Sequence, residues 1–145
     1  MTVGRICTRE VDFAEAGESV VIAAQRMHAR KVGTLAVLDE NKRPIGIITD
    51  RDLTVRVIAA GADPFATKVR DVMTACPKTV QEDTPLEDAL AIMRSGPYRR
   101  VLVVDKRGLL LGLLSLDDVL SLLVQEFKEI GELLDRENPA SLTAE

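Results

Sequence analysis

The chain has 145 residues, 46% of them hydrophobic and 29% charged, an ordinary globular balance that excludes wholesale disorder, collagen-like repeats and a coiled-coil rod. Aromatics make up only 3%, so the core must be aliphatic, and the rings that stack single-stranded nucleic acid are nearly absent; a net charge of −4 gives no footprint for a phosphate backbone either. The longest apolar run, Gly108 to Leu116, is far below the ~20 residues that span a bilayer, and no charged n-region precedes an apolar stretch, so the expectation is a cytoplasmic protein that binds neither nucleic acid nor membrane.

In chain order, a lead-in Val3-Gly4-Arg5-Ile6-Cys7-Thr8 comes first. Val20, Ala23, Ala24 and Met27 then fall at i, i+3, i+4 and i+7, the stripe of an amphipathic helix. A β-rich run, Thr34 to Asp39, a turn carrying Asn41 and a second run, Ile45 to Thr49, read as strand, turn, strand. Their near-continuous apolar character predicts strands covered on both faces. Helical period returns with Leu53, Val57 and Ile58 and closes at Gly61; the stretch from Gly61 to Lys68, with Asp63-Pro64, is the natural connector.

The same series then repeats. A lead-in Val69-Arg70-Asp71-Val72-Met73-Thr74 precedes Thr79-Val80 and a helix carrying Leu86, Ala89, Leu90 and Met93, with Thr84 as its predicted N-cap, Pro85 at the first helical position and Glu87 three residues past the cap. Runs Val101 to Asp105 and Leu109 to Ser115 flank Gly108. A last helix carries Val119, Leu120, Leu123, Val124, Phe127, Ile130 and Leu134. The two series keep a constant offset of 66: Ala23 with Ala89, Met27 with Met93, Val37 with Val103, Asp39 with Asp105, Gly46 with Gly112, Asp52 with Asp118. A register held across two changes of hydrophobic period points to internal duplication. The expected organisation is a first repeat at 1–62, a linker at 63–68, a second repeat at 69–124 and a C-terminal helix extension and tail at 125–145.

Chemistry concentrates where the second strand of each copy meets its helix. A helix start presents unpaired N–H groups, a Thr or Ser hydroxyl there adds a donor, and an Asp three residues on is a double acceptor suited to the diol of a ribose. Thr49 with Asp52, and Ser115 with Asp118, are therefore two candidate nucleotide sites. The same spacing is also a capping box that does no more than start a helix. Tyr98, Arg99 and Arg100 stand at the entrance to the second copy's first β-run, where guanidinium forks would clamp phosphate, while the first copy has Val32, Gly33 and Thr34 there. Arg51 lies beside Asp52, whereas Asp117 occupies the matching place in the second copy and would repel a phosphate.

Other features read as bland. His28, the only histidine, is expected on the solvated side of its helix, Met27 and Met93 fill core, and Cys7 and Cys76, without C-x-x-C spacing, read as free thiols. No base, nucleophile and metal shell converge, so neither an enzyme nor a resident cofactor or metal is expected.

The duplicated unit, with Gly46-Ile47-Ile48-Thr49-Asp50-Arg51-Asp52-Leu53 and Gly112-Leu113-Leu114-Ser115-Leu116-Asp117-Asp118-Val119 at its second strand-to-helix turn, resembles the cystathionine-β-synthase (CBS) domain; a tandem pair is called a Bateman module. The likeness runs from Val3 to about Leu123 and implies a stand-alone pair of α/β (α+β) class: two helix-strand-strand-helix repeats, each with a short lead-in strand, packed about a pseudo-two-fold axis. It further implies a cleft holding up to two adenine nucleotides (AMP, ADP or ATP, with NAD and S-adenosylmethionine sharing the same adenosine). Asp would lie on ribose, the hydroxyl near phosphate, and the backbone around Thr79 and Val80 against adenine. Phe13-Ala14 stands where Thr79-Val80 stands in the other copy, without the preceding Pro.

Three readings follow: a regulatory module that senses adenine nucleotides and signals to a protein target of unknown identity, a ligand-free dimerisation scaffold of the same fold, and, least supported, a small enzyme. A homodimer is expected, because the long stripe of the last helix outruns what a lobe of about sixty residues can cover.

Overall fold

The computed structural model of this chain describes residues 1–75, 77–96 and 98–137; Cys76, Pro97 and the tail at 138–145 lie outside them, so the expectation for the Cys76 thiol does too. After a 3-10 turn, Val3–Arg5, the first copy comprises β1 (Phe13–Glu15), α1 (Val20–Arg30), β2 (Thr34–Leu38), β3 (Pro44–Thr49) and α2 (Asp50–Asp52), which continues as a π-helical segment over Leu53–Ile58. The second comprises α3 (Val69–Val72), β4 (Thr74–Ala75), β5 (Thr79–Gln81), α4 (Leu86–Ser95), β6 (Arg100–Val104), β7 (Leu110–Ser115) and α5 (Leu116–Glu137).

Local chemistry sets the element ends. The Ser19 hydroxyl accepts from the Ile22 amide at the start of α1, and Lys31 closes that helix in the left-handed conformation. The π-helical segment is wound with i→i+5 bonds such as Ala59 N–H to Thr54 C=O, and Gly61, at φ +69°, ends it. One expected cap is corrected: α4 begins after Pro85, and the Thr84 hydroxyl accepts instead from the Gln81 amide, tightening the turn before the helix. In each hairpin one carboxylate oxygen of an Asp gathers two amides, Asp39 those of Asn41 and Arg43, Asp105 those of Arg107 and Leu109.

In each copy a hairpin is extended by a parallel strand: β1 runs parallel to β2 and β2 antiparallel to β3, as β5 does to β6 and β6 to β7. Coverage on both faces holds for β2 and β6, each with four consecutive buried residues, whereas β3 and β7 alternate buried and half-buried positions because their second face meets the clefts and lead-ins.

The two copies exchange their lead-ins. β4, from the second lead-in, pairs antiparallel with β3 of the first copy, and Thr8, from the first lead-in, bridges to Leu113 of β7. Val3 N–H donates to Thr84 C=O and Gly4 N–H to Glu82 C=O, while Val69 N–H and Arg70 N–H donate to Glu18 C=O and Ala16 C=O. Each aliphatic core therefore draws on both halves of the sequence. Val69 and Val72 pack with Ala14, Leu35, Val37 and Ile48; Val3, with Ile6 and Cys7 beside it, packs with Val80, Val101, Val103 and Leu114. Gly46 and Gly112 make the exchange sterically possible. A Cβ on Gly46 would stand 2.5 Å from Met73 Sδ and 2.9 Å from Thr74 O, and one on Gly112 2.7 Å from Thr8 O.

Helix α5 is the largest departure from internal symmetry. Val119 is its buried residue, and Leu120, Leu123, Val124, Phe127, Ile130 and Leu134 are exposed, Val124 to 68% and Phe127 to 70%. The helix thus leaves a continuous apolar stripe exposed along its charged length.

Candidate functional site

Both Thr/Ser-x-x-Asp motifs sit at the strand-to-helix turns where the sequence puts them. Thr49 ends β3, and its amide donates to Asp52 Oδ2 at 2.9 Å, while the Asp52 amide donates to Thr49 Oγ1 at 3.2 Å. Ser115 ends β7 and repeats the arrangement with Asp118 at 2.9 and 3.1 Å. Each motif is thus a complete capping box. The box does not exhaust the groups: a hydroxyl that accepts keeps its own hydrogen to donate, and each carboxylate keeps Oδ1. At Asp52, Oδ1 lies 3.7 Å from Arg56 Nε, and Arg56 is itself tied to the Val72 and Met73 carbonyls, so this carboxylate is steadied against the exchanged lead-in. Leu122 holds the matching place near Asp118, whose carboxylate forms no ion pair among the described residues.

A cleft of about 260 Å³ opens over Ser115 and Asp118, both half-buried. Its walls come from both copies. Thr8, Glu10, Val11 and Asp12 form one side, Val32, Gly33 and Thr34 another, and Leu113, Asp117 and Arg100 complete it. Arg100 is the strand neighbour of Ser115, so its side chain leaves the sheet beside the hydroxyl.

The remaining candidates are placed differently. Tyr98, Arg99, Thr79 and Val80 are not among the residues lining this cleft. Thr79 and Val80 pair with Leu102 and Val103 in β5, and Val80 is buried in the second core. Lys78, just before them, sets its ammonium over the Tyr98 ring at 5.9 Å. Arg99 reaches toward Asp117, 3.9 Å away, with both side chains largely exposed. Thr49, Arg51 and Asp52 stand together at the other turn. Sequence reasoning missed the contribution of Thr8 to Asp12 and of Val32 to Thr34. The available signal was glycine inside β3 and β7, which marks a close approach of foreign backbone.

His28 is exposed, as expected. Cys7 is free, and burial outweighs the nearby Arg9 charge and pushes its thiol above the ordinary range, which makes it a poor nucleophile. Among the described residues no group of three or more His, Cys, Asp or Glu side chains could hold a metal ion, and no helix is long and apolar enough to cross a membrane.

The sequence profile of the CBS domain matches residues 3–58 and again 69–125. The chain belongs to the CBS domain family and carries two such domains in tandem. It is similar to an uncharacterized protein of Methanopyrus kandleri, 33% identical over 120 residues, which are 83% of this chain and 61% of that relative. Among solved structures it is similar to CBSX2 of Arabidopsis thaliana in complex with AMP, 30% identical with a TM-score of 0.70, over 86% of this chain and 96% of that one. It is likewise similar to the CBS domain protein PAE2072 of Pyrobaculum aerophilum complexed with AMP, 25% identical with a TM-score of 0.73, over 81% and 89% of the two chains. The mixed α/β architecture with two sheets is that of CBS-pair structures. None of these three proteins is named as an enzyme.

Proposed function

We propose that this chain is a regulatory module that binds an adenine nucleotide, AMP, ADP or ATP, in the clefts between its CBS repeats (proposed bounds 1–62 and 69–124) and relays occupancy to a cytoplasmic protein target. The observation that carries the reading is the cleft over Ser115 and Asp118, walled by both copies, with a hydroxyl donor and a carboxylate left over after the capping box is made. A ligand touching both copies binds one relative arrangement better than another, which is the requirement for signalling. The AMP complexes of CBSX2 and PAE2072 support the ligand class. We further propose a homodimer through the exposed stripe of α5, which Leu123→Asp together with Phe127→Asp should return to monomer in sedimentation.

A scaffold without ligand is favoured by one fact, that both motifs are already satisfied as caps. Cap-preserving variants separate the readings. Asp52→Asn and Asp118→Asn keep an acceptor for the capped amide but lose the charge that holds a ribose diol. Under the nucleotide reading, saturating adenine nucleotide raises the melting temperature by several degrees, since 100 times Kd is worth roughly 2.7 kcal/mol, and the paired Asn variant loses that gain. No shift with any adenine nucleotide, NAD or S-adenosylmethionine at millimolar concentration would return the chain to the scaffold reading.

A further inference from the structure

Two apolar surfaces lie open on this chain, and they differ in shape and in charge. The first is the α5 stripe. Leu120, Leu123, Phe127, Ile130 and Leu134 are spaced three and four apart, the seam of a helix that packs along another helix, and all five are exposed. The second is a groove of about 400 Å³ on the first copy, between α1 and the π-helical segment, with Ala24, Leu53, Val57 and Ile58 among its walls and the exposed Gln25 and His28 as its polar lining. We propose, resting on the homodimer reading, that the dimer is head-to-tail: the α5 stripe of one molecule seats in the first-copy groove of its partner, and the partner's α5 seats in the groove of the first.

The shapes follow from the duplication. At the constant offset of 66, Ala24 and Val57 of the groove correspond to Leu90 and Leu123. Val57 is buried and the Ala24 side chain is a single methyl, so the first copy is hollow there, whereas Leu90 and Leu123 are exposed to 36% and 46%, so the second copy stands proud. The helical run after Thr49 also stops early, at Ile58 with Gly61 closing it, while its counterpart α5 runs on to Glu137. The first copy therefore offers a hollow beside a short ledge, and the second a long ridge. Hollow meets ridge only when the first copy of one molecule faces the second copy of the other. Two ridges or two hollows set face to face would leave apolar atoms without contacts.

Charge selects the same pairing. Helix α5 carries seven carboxylates, from Asp117 to Glu137, against Lys128 and Arg136. No carboxylate lines the groove, and neither α1 nor the π-helical segment contains one. Glu126 and Glu137 are eleven residues apart, three turns of helix, so they share one side of α5 and border the stripe there. Pairing α5 with α5 about a two-fold axis would set one acidic helix against another. Seating it on α1 instead opposes its carboxylates to a groove whose ionisable lining residue is His28. The contact is mutual, so a single two-fold operation covers both stripes and both grooves, and the assembly closes as a dimer.

Sedimentation and cross-linking of the full chain test this. Ala24→Trp fills the groove from an exposed position, so it should keep the wild-type circular dichroism and weaken the dimer by at least about 30-fold, the loss expected when a central contact of an interface is blocked. A short bismaleimide reads the pairing independently of that variant. A tagged Ala24→Cys chain mixed with an untagged Leu123→Cys chain should give a mixed cross-linked dimer above the background set by the wild-type cysteines, and each variant alone should stay at that background. A Leu123→Cys chain that cross-links to itself, or a dimer that Ala24→Trp leaves intact while Leu123→Asp with Phe127→Asp abolishes it, would mean that α5 pairs with α5. Either result would overturn the head-to-tail arrangement and leave the homodimer reading standing. A wild-type chain that sediments as a monomer at roughly 100 μM would overturn both.

Discussion

The two copies share a backbone and almost nothing of their surface. Their cores are near images: Leu35, Val37 and Ile48 of the first correspond at the constant offset to Val101, Val103 and Leu114 of the second, and all six are inaccessible to solvent. Outside the core the copies diverge. The first ends in a short π-helical segment and the second in a 22-residue helix; the first clasps Arg26 and Glu18 where the second has Ile92 and Thr84. Duplication has held fixed what folding needs, apolar volume and the glycines of the exchange, and left the surface outside them free to diverge.

The comparison breaks most visibly if the cores are not equivalent. Ile48→Ala and Leu114→Ala each empty a fully buried aliphatic position and should cost about 2–5 kcal/mol apiece. Because each core is completed by the other copy's lead-in, either variant should give a single cooperative unfolding transition in calorimetry. A two-step melt in which one copy survives would show that the exchanged segments do not couple the halves.

A smaller effect tests the exchange itself. Gly46→Ala and Gly112→Ala place a Cβ against the foreign lead-in and should each destabilise by about 1–3 kcal/mol. Gly112→Ala should cost more, because its methyl meets the Thr8 carbonyl oxygen at 2.7 Å, whereas at Gly46 the backbone contact, with Thr74 O, is looser at 2.9 Å and the nearer atom is the adjustable Met73 sulfur. Denaturant melts of the pair would read the order directly. Equal stability to wild type would mean that the lead-ins are not held where β3 and β7 pair with them.

Much of this architecture is legible in the sequence, for physical reasons. Period-3.6 stripes, two apolar runs per copy and Asp39 or Asp105 in each turn fix helix, strand and hairpin locally, and the constant offset shows that the local pattern is used twice. The Thr/Ser-x-x-Asp turns are likewise readable, because capping chemistry depends on neighbours in sequence. What the linear reading misses is which copy's wall faces which copy's turn. That depends on Thr8 meeting Leu113 and Thr74 meeting Ile47, contacts whose only trace in the sequence is the absence of a side chain at Gly46 and Gly112. Arg100 reads as a neighbour of Ser115 in the sequence and is one in the fold, whereas the segments Thr8 to Asp12 and Val32 to Thr34 that wall the same cleft leave no such local mark. The misjudged cap at Thr84 has a similar origin, since its hydroxyl has a closer use within the turn.

The smallest expected effect separates the copies by pH. Arg26 donates to Glu18 through both terminal nitrogens, at 3.1 and 2.9 Å, and to the Phe13 carbonyl at 2.8 Å, so it ties α1 to β1 in the first copy. The guanidinium bonds hold the Glu18 carboxyl below its ordinary range, against a smaller opposing effect of burial, and a further amide bond from Glu15 acts in the same direction. A carboxyl whose pKa is lowered by folding contributes stability above its unfolded pKa and loses it as pH falls through the folded value. At pH 7, Glu18→Gln should therefore cost about 1 kcal/mol, a charge-assisted bond discounted for partial exposure. The penalty should shrink below about pH 4 as the wild-type carboxyl itself protonates. Thr84→Gln at the matching place in the second copy lacks an arginine to meet and should show no such pH dependence. A Glu18→Gln penalty that stays constant from pH 7 to pH 3 would mean that Glu18 acts through packing and its amide bond, and that the clasp is not an ionic distinction between the copies.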